Sequence, residues 1–457
     1  MRPTKERAPG LPASTHIVIQ DVVPAVDGGA YPLKRLAGEW LPVWATVFRD
    51  GHDVMRVVIR WREGPEGSVM ESPMRCINPG LDFWEGWFHL ARNARYFYTI
   101  QAWTDRYATW LADFRKRVKA GMTGLPSERV EGSALLSVVR NSARAGDAAA
   151  IGEALRRLGD AGLAPGRWLE AAEAVEPAMT RLSPRADAVE RTPWLEAVAD
   201  RWRAVFGSWY EMFPRSQGTV PGKASTLREA ESRLPQIARL GFDVLYLPPV
   251  SPIGVTKRKG RNASLTAGPN DPGSPWGIGS SAGGHDAVEP ALGTMADFDH
   301  FVAACRANGL EIALDIALQC SPDHPWVKAH PDWFYRRPDG TIRFAENPPK
   351  KYEDIYPLNF DTPDWKALWT EIRRVFQHWI DHGVRIFRVD NPHTKPQSFW
   401  RWLISDIQGK HPDVFFLAEA FTRPPMMRHL AKIGFTQSYT YFTWRNTKQE
   451  LIDYVQE

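Results

Sequence analysis

The chain contains very little cysteine. Three cysteines occur in 457 residues, and Cys76, Cys305 and Cys320 lie far apart. Their odd number and wide spacing do not fit a disulfide framework, and the lack of a Cys-x-x-Cys pair argues against a zinc site. We therefore expect reduced thiols, a cytoplasmic location and no metal site.

Long apolar runs and a large net charge are also absent. No apolar run approaches the roughly 20 residues that cross a membrane. The basic, proline-rich start, MRPTKERAPGLPAS, lacks the apolar segment of a signal peptide and is predicted to be a frayed tail. The net charge of +4 is small for this length and comes without a long basic stripe. We expect neither a membrane nor a nucleic acid as a partner.

Three short apolar runs in the second half of the chain each lead to an acidic residue. EIALDIAL carries Asp315, GVRIFRVD ends at Asp390, and FFLAEA carries Glu419. A buried strand that stops on a carboxylate places it at the rim of a sheet, where substrate has access. About 75 and about 29 residues separate the three acids, enough for a loop and helix between parallel strands. The spacing predicts a (β/α) barrel with all three acids at one mouth.

Each acid taken alone could be a solvated loop residue or a helix N-cap. The position of Arg388 favours a functional role for Asp390 over these alternatives. Arg388 lies two residues before Asp390 and therefore on the same strand face, where it would keep Asp390 ionised and oriented. If Asp390 and Glu419 end neighbouring strands, about 4.8 Å apart, their carboxyl groups can approach the ~5–5.5 Å of a retaining glycosidase pair. The sequence predicts Asp390 as nucleophile and Glu419 as acid/base.

The remaining sequence predicts a multidomain protein. Residues 1–114 alternate in short apolar runs, which predicts an N-terminal β-sandwich whose aromatics form core or subunit contacts rather than a glucan site. Residues 115–203 carry apolar side chains at helical spacing and predict a helical bundle. Residues 204–457 predict an incomplete (β/α)8 TIM barrel, with an insertion loop domain at 321–361.

Glycines mark three predicted helix ends in the barrel segment. Gly241, Gly309 and Gly383 each follow a helical segment, where a helix C-terminus favours a residue that can adopt positive φ. The strands FDVLYLPPV, LEIALDIAL and VRIFRVD come next, and a further strand is predicted in QSYTYFTW. This is a repeated βα alternation.

Several segments resemble a known family. GVRIFRVD with FLAEA resembles the nucleophile and acid/base strands of the α-amylase superfamily, and LPPVSPIG resembles its second barrel strand. LDIALQCSPDHPWV, ENPPKKYEDIYPLNFD and RVDNPHTKP resemble the α-1,4-glucan:maltose-1-phosphate maltosyltransferases, from about Tyr31 to the last residue. Gln319-Cys320 replaces the usual Asn-His pair of amylases, and Asn391-Pro392-His393 replaces Ala-x-x-His. These departures disfavour a plain starch hydrolase.

The resemblance implies a function, a ligand set and partners. It implies retaining transfer of maltosyl from maltose 1-phosphate to the non-reducing end of an α-1,4-glucan, without metal or organic cofactor, by a homodimer. It also implies that Lys259, Gln319, Asp354 and Asn391 bind the maltosyl phosphate. An α-glucan hydrolase and a non-catalytic glucan-binding fragment remain as alternatives.

A phosphorylated donor requires positive charge near the leaving group. Lys350 and Lys351 beside Tyr352, together with Lys259 and Arg258, are candidates to neutralise it. The alternative is a solvated basic loop.

Relatives of α-amylase carry a third acid, usually an aspartate on the seventh barrel strand. No aspartate on such a strand follows Glu419 in the sequence, and the last strands of the barrel are missing. We therefore expect a C-terminal truncation, with a reading frame that continues beyond Glu457 and supplies this acid. By itself the 457-residue chain is expected to be poorly soluble and inactive, because an open barrel exposes unpaired strand edges.

Overall fold

The computed structural model describes residues 16–457, so the predicted tail at 1–14 lies outside the described residues. The chain divides into two compact units, Met1–Ala199 and Asp200–Glu457. Each unit has its own hydrophobic core.

The first unit contains a β-sandwich. Its two sheets have the strand orders β1-β3-β7-β6 and β2-β10-β8-β4-β5, with β9 paired to β8. The strands are β1 (Ile17–Val23), β2 (Leu33–Leu36), β3 (Trp40–Arg49), β4 (Met55–Glu63), β5 (Met70–Pro73), β6 (Arg75–Asn78), β7 (Phe83–His89), β8 (Ala94–Thr104), β9 (Val189–Glu190) and β10 (Leu195–Asp200). Every second side chain of β3 from Leu41 to Val47 is buried, as expected for a strand with one face on the core.

Five helices form the second part of this unit. They are α1 (Arg106–Lys119), α2 (Pro126–Arg140), α3 (Ala145–Gly159), α4 (Pro165–Ala174) and α5 (Glu176–Leu182). Their apolar faces meet around Trp110, Leu136, Ile151 and Trp168, all nearly fully buried.

The helices are inserted into the sandwich rather than placed after it. Helix α1 begins at Arg106, where the Asp105 side chain accepts a hydrogen bond from the Ala108 amide and caps the helix. After α5 the chain returns through β9 and β10, and both strands pair with β8. The predicted boundaries at 114/115 and 203/204 therefore differ from the element boundaries.

The second unit is built on a parallel sheet with the order β11-β12-β13-β18-β19-β20. Its strands are β11 (Trp209–Glu211), β12 (Val244–Leu247), β13 (Glu311–Ile316), β14 (Gln319–Cys320), β15 (Ala345–Asn347), β16 (Lys350–Tyr352), β17 (Tyr356–Pro357), β18 (Ile386–Val389), β19 (Phe415–Ala418) and β20 (Gln437–Ser438). Its helices are α6 (Leu227–Ala230), α7 (Leu234–Arg239), α8 (Met295–Ala307), α9 (Pro325–Ala329), α10 (Trp365–Asp381), α11 (Gln397–Lys410), α12 (Pro424–Ile433) and α13 (Lys448–Gln456).

Consecutive sheet strands are neighbours and run parallel, the arrangement of a partial (β/α) barrel. The three predicted glycines have positive φ, at 87° for Gly241, 75° for Gly309 and 92° for Gly383, as predicted for helix C-termini. The strand predicted in QSYTYFTW is only two residues long, because Tyr441–Trp444 turns into a 3-10 helix.

The insertion after β13 contains two short antiparallel pairings, β14 with β17 and β15 with β16. Within residues 16–457, no helix combines the length and apolar character needed to span a membrane.

Candidate active site

A cleft of about 2030 Å³ opens at the carboxyl ends of the parallel strands. Parallel strands present their C-terminal loops at one rim, which is where active sites of this architecture lie. Ten of the predicted residues line this cleft: Lys259, Gln319, Lys350, Lys351, Tyr352, Asp354, Arg388, Asp390, Asn391 and Glu419.

Asp390 and Glu419 occupy equivalent positions on adjacent strands. Val389 pairs with Ala418 in the β18–β19 ladder, and the two acids follow directly. The Asp390 amide donates to the Ile316 carbonyl and the Glu419 amide donates to the Val389 carbonyl, each at 3.0 Å. These backbone bonds extend the ladder to the acids, so both carboxyl groups are held by the sheet.

Arg388 connects the acids. Its Nη1 lies 2.8 Å from Asp315 Oδ2 and 3.0 Å from Asp390 Oδ1. Its Nη2 lies 3.0 Å from Glu419 Oε1. The residue is only 7% exposed, so these charge-assisted bonds act away from bulk water. The predicted contact between Arg388 and Asp390 is present.

Asp315 is held by two aromatic residues that the sequence analysis did not identify. Tyr246 Oη donates to Asp315 Oδ2 at 2.6 Å, and Trp276 Nε1 donates to the same oxygen at 3.2 Å. Both aromatic residues line the cleft. Tyr246 lies on a strand that is buried on both faces, so no alternation of polar and apolar residues marked it as a site residue. Trp276 lies in an irregular loop, where no local sequence pattern predicted its role.

One guanidinium cannot neutralise three carboxylates, and the pKa values reflect this. Burial raises the pKa of Asp315 to about 7, against the opposing charge of Arg388 and with the help of Asp390. Burial also raises the pKa of Glu419 to about 7, with Asp390 adding to the effect. Burial alone would lower the pKa of Arg388, but Asp315 and the neighbouring acids raise it, so Arg388 stays charged.

Asn391 bridges the acid pair. Its backbone N–H donates to Glu419 Oε2 at 3.3 Å, and its side-chain Nδ2 donates to Asp390 Oδ2 at 3.3 Å. The residue adopts a left-handed conformation with φ 43°, which asparagine tolerates better than most residues. Lys395 Nζ lies 3.2 Å from the Asn391 carbonyl and 3.5 Å from the Asp390 carbonyl. The lysine therefore supports the turn that positions the acids.

Lys259 and Asp354 form a nearly buried pair on the insertion side of the cleft. They are 8% and 5% exposed. Lys259 Nζ donates to the Lys351 carbonyl at 3.2 Å, but lies 3.8 Å from Asp354 Oδ1, and in the described chain that oxygen has no hydrogen-bond partner. Burial raises the pKa of Asp354. An unsatisfied buried carboxylate oxygen facing a cleft is suited to accept a hydroxyl of a ligand.

The remaining predicted residues differ in exposure. Gln319 Nε2 donates to the Trp276 carbonyl at 3.3 Å, while Lys350 is exposed and Tyr352 is 37% exposed. Arg258 was predicted as a phosphate contact, but it does not line the cleft. Its guanidinium donates to the backbone carbonyls of Gly254 and Ile253, because the loop folds back around it.

His285, Cys320 and His324 form a buried cluster with potential metal-ligand atoms within 4.8 Å of one another. The Trp326 amide donates to His324 Nδ1, so His324 must carry its proton on Nε2, which lies 3.0 Å from His285 Nδ1. His285 Nε2 then donates to the Ala317 carbonyl at 2.9 Å. Burial lowers the pKa of His285 to about 4 and that of His324 to about 2. Every ring nitrogen is engaged, so this cluster supports the loops rather than holding a cation.

Comparison with known proteins identifies relatives along nearly the whole chain. Residues 15–201 match a family model described as "Alpha-1,4-glucan:maltose-1-phosphate maltosyltransferase, domain N/S". The enzyme of that name from Myxococcus xanthus is 50% identical over 96% of this chain and 67% of its own length. The second such enzyme of Streptomyces coelicolor is 52% identical over 96% of this chain and 66% of its own length.

The chain thus spans about two thirds of the length of these relatives. Among solved structures, an α-amylase from Lactobacillus plantarum is 24% identical, with a TM-score of 0.43, over 55% of this chain and 58% of its own. The family resemblance predicted from the sequence motifs is confirmed by the two enzymes. The chain belongs to the family of α-1,4-glucan:maltose-1-phosphate maltosyltransferases.

Proposed function

We propose that the protein transfers maltosyl from maltose 1-phosphate to the non-reducing end of an α-1,4-glucan and releases phosphate. The observation that carries the proposal is the Asp390–Arg388–Glu419 arrangement in a chain half identical to maltosyltransferases. The two carboxyl groups follow adjacent strands, which suits the close spacing of a retaining pair.

In the first step, the Asp390 carboxylate attacks the anomeric carbon of the donor. The bond from that carbon to the phosphate oxygen breaks, and the phosphate leaves with the electron pair and the proton of Glu419. Arg388 contacts and orients Asp390, while burial raises the pKa of Glu419 to about 7 and so favours its protonated form. The product is a maltosyl ester of Asp390.

In the second step, ionised Glu419 removes a proton from the terminal 4-hydroxyl of the glucan. The hydroxyl oxygen attacks the anomeric carbon, the ester bond breaks, and Asp390 is regenerated as a carboxylate. Two inversions at the same carbon retain the α configuration. Transfer exceeds hydrolysis when the acceptor is held in place and water is excluded.

Donor binding is assigned to the insertion side of the cleft. Lys259, Gln319 and Asp354 are proposed to contact the maltosyl phosphate, and the open Lys259–Asp354 pair supports this assignment. Lys350, Tyr352 and Asn391 are proposed near the phosphate, because they bring positive charge and hydrogen-bond donors into the cleft that holds the acid pair.

Product analysis separates this function from the alternatives. Incubation of the full-length protein with maltose 1-phosphate should release phosphate only when α-1,4-glucan is present, and the glucan should lengthen by maltosyl units. Rapid release of free maltose would instead indicate an α-glucan hydrolase. Asp390→Ala should abolish turnover and spare glucan binding; turnover that survives the substitution would contradict the nucleophile assignment.

We further propose a cytoplasmic homodimer. The three unpaired cysteines support a reducing compartment, and the dimer is proposed by family resemblance. Light scattering at micromolar concentration should report twice the chain mass, and a monomer would contradict the dimer.

A further inference from the structure

The outer rim of the cleft carries a series of aromatic side chains that the proposed reaction does not use. Helix α10 starts at Trp365 and helix α11 starts at Gln397. Barrel helices run opposite to the strands, so the first turns of these helices lie at the mouth of the barrel, where the strands end. Trp365, Trp369, Phe399 and Trp402 all lie within the first two turns of these helices.

The rings make contact from the cleft wall to the surface. Phe360 lines the cleft, and its ring centroid is 5.0 Å from that of Phe399. Phe399 is 5.3 Å from Trp369. Trp369 is in turn 4.8 Å from Trp365 and 5.5 Å from Trp402.

The two outermost rings are accessible to solvent. Trp365 is 41% exposed and Trp402 is 36% exposed, whereas Phe399 is fully buried. Two exposed tryptophans held by one partly buried tryptophan form a fixed platform rather than scattered surface residues. Lys366 Nζ lies 5.6 Å from the Trp365 ring and places a hydrogen-bond donor beside it.

A glucan acceptor requires such a surface. Only its terminal glucose reaches Asp390, so the rest of a long chain must leave the cleft over its wall. Tryptophan rings present flat apolar faces with a polar edge, which match the C–H face of a glucose ring. Phe360 lines the cleft, and the contacts through the buried Phe399 and the partly buried Trp369 hold the two exposed rings near that wall, where a polymer that leaves the cleft can pass over them.

We propose that Trp365 and Trp402 form a surface site that holds inner glucose units of a long α-1,4-glucan acceptor. This inference rests on the proposed function. The site acts on polymer binding and does not touch the reacting atoms. Short acceptors that end inside the cleft do not reach it.

Acceptor length tests the proposal. In a Trp365→Ala/Trp402→Ala variant, the KM for glycogen should rise about tenfold, which corresponds to about 1.4 kcal/mol. The KM for a short malto-oligosaccharide and for maltose 1-phosphate should not change. Trp202→Ala removes a more accessible ring, 65% exposed, and should change none of these values. An unchanged KM for glycogen, or an equal rise with short acceptors, would overturn the proposal.

Chemical protection provides a second test on the unsubstituted protein. N-bromosuccinimide oxidises exposed tryptophans, and long amylose should protect Trp365 and Trp402 but not Trp202, as mapped by peptide mass spectrometry. Equal oxidation with and without amylose would overturn the proposal. A change of oligomeric state in the Trp365→Ala/Trp402→Ala variant would also overturn it, since the rim would then be a subunit contact. If the proposed function itself fails, no acceptor of any length will support phosphate release, although the protection experiment remains interpretable.

Discussion

Arg388 carries one positive charge and contacts three carboxyl groups, Asp315, Asp390 and Glu419. Because the group is buried, the charges interact strongly and cannot all be ionised at low energetic cost. The site therefore retains protons near neutrality while Arg388 stays charged. That combination is what an acid/base carboxyl beside a nucleophilic carboxylate requires.

The pH dependence of the reaction should reveal this retained proton. In the proposed reaction Glu419 must be protonated to assist departure of phosphate, and burial raises its pKa to about 7. Because the pKa is raised, Glu419 keeps its proton up to about that pH and loses it at higher pH. We predict that kcat/KM for maltose 1-phosphate falls as pH rises through about 7.

A Glu419→Gln variant provides the control for this prediction. Glutamine does not titrate, so the small residual activity should lose this alkaline dependence. An unchanged alkaline limb in the variant would assign the titration to another group, and a wild-type rate that is flat from pH 6 to 9 would contradict the acid role.

Lys395 is predicted to be a positioning residue. Its ammonium group binds the Asp390 and Asn391 carbonyls and lies near both acids. Lys395→Met should lower kcat by up to about 100-fold through misplacement of the acid pair. The lost positive charge should also shift the alkaline limb to higher pH, because it no longer stabilises ionised Glu419. Lys395→Arg should largely retain that limb; a kcat loss without any shift in Lys395→Met would indicate a purely structural role.

At the scale of elements, the loops after β12 and β13 are joined by the His285–His324 hydrogen bond. The two histidines are neutral and complete a chain of bonds from the Trp326 amide to the Ala317 carbonyl. Glycine is required beside them, because a Cβ on Gly284 would lie 2.6 Å from His324 Nε2. The segment that follows β13 and carries Gln319 depends on this packing.

Gly284→Ala should therefore destabilise the second unit by about 1–3 kcal/mol, since overpacking displaces the His324 ring and breaks its bond to His285. Thermal unfolding followed by circular dichroism should show a lowered midpoint. Gly409→Ala is the matched control, because a Cβ there meets nothing within 4 Å, and its midpoint should be equal or higher. Equal midpoints in both variants would contradict the packing account.

The sequence predicted those elements whose signals are local. Gly241, Gly309 and Gly383 identified helix ends because positive φ favours glycine, and apolar runs ending in acids identified β13, β18 and β19. The His285–His324 hydrogen bond was not predicted, because the two residues come from loops that lie close together only in the folded barrel. QSYTYFTW was expected to be a longer strand, since its aromatics favour strands, but pairing with β19 stops after Ser438.

At the scale of the whole molecule, the sandwich, the helices and the barrel were predicted from the sequence, but the return of the chain to the sandwich after the helices was not. Residues Leu195, Ala197 and Ala199 alternate into the sandwich core, yet they are separated from β8 by the helices. A pairing across that many residues leaves no local mark in the sequence. Most of the predicted site residues line one cleft, because strand ends on one sheet converge at one rim.

Each catalytic assignment depends on a covalent maltosyl group on Asp390, and trapping it is the most direct test. Glu419→Ala removes the acid/base group, so a donor with a leaving group that needs no protonation, such as α-maltosyl fluoride, should form the ester faster than it is resolved. Mass spectrometry of peptides should find the mass of one maltosyl group on Asp390, and none in an Asp390→Ala/Glu419→Ala variant. An adduct on another residue, or glucan extension by the protein with no adduct under any trapping condition, would contradict the account.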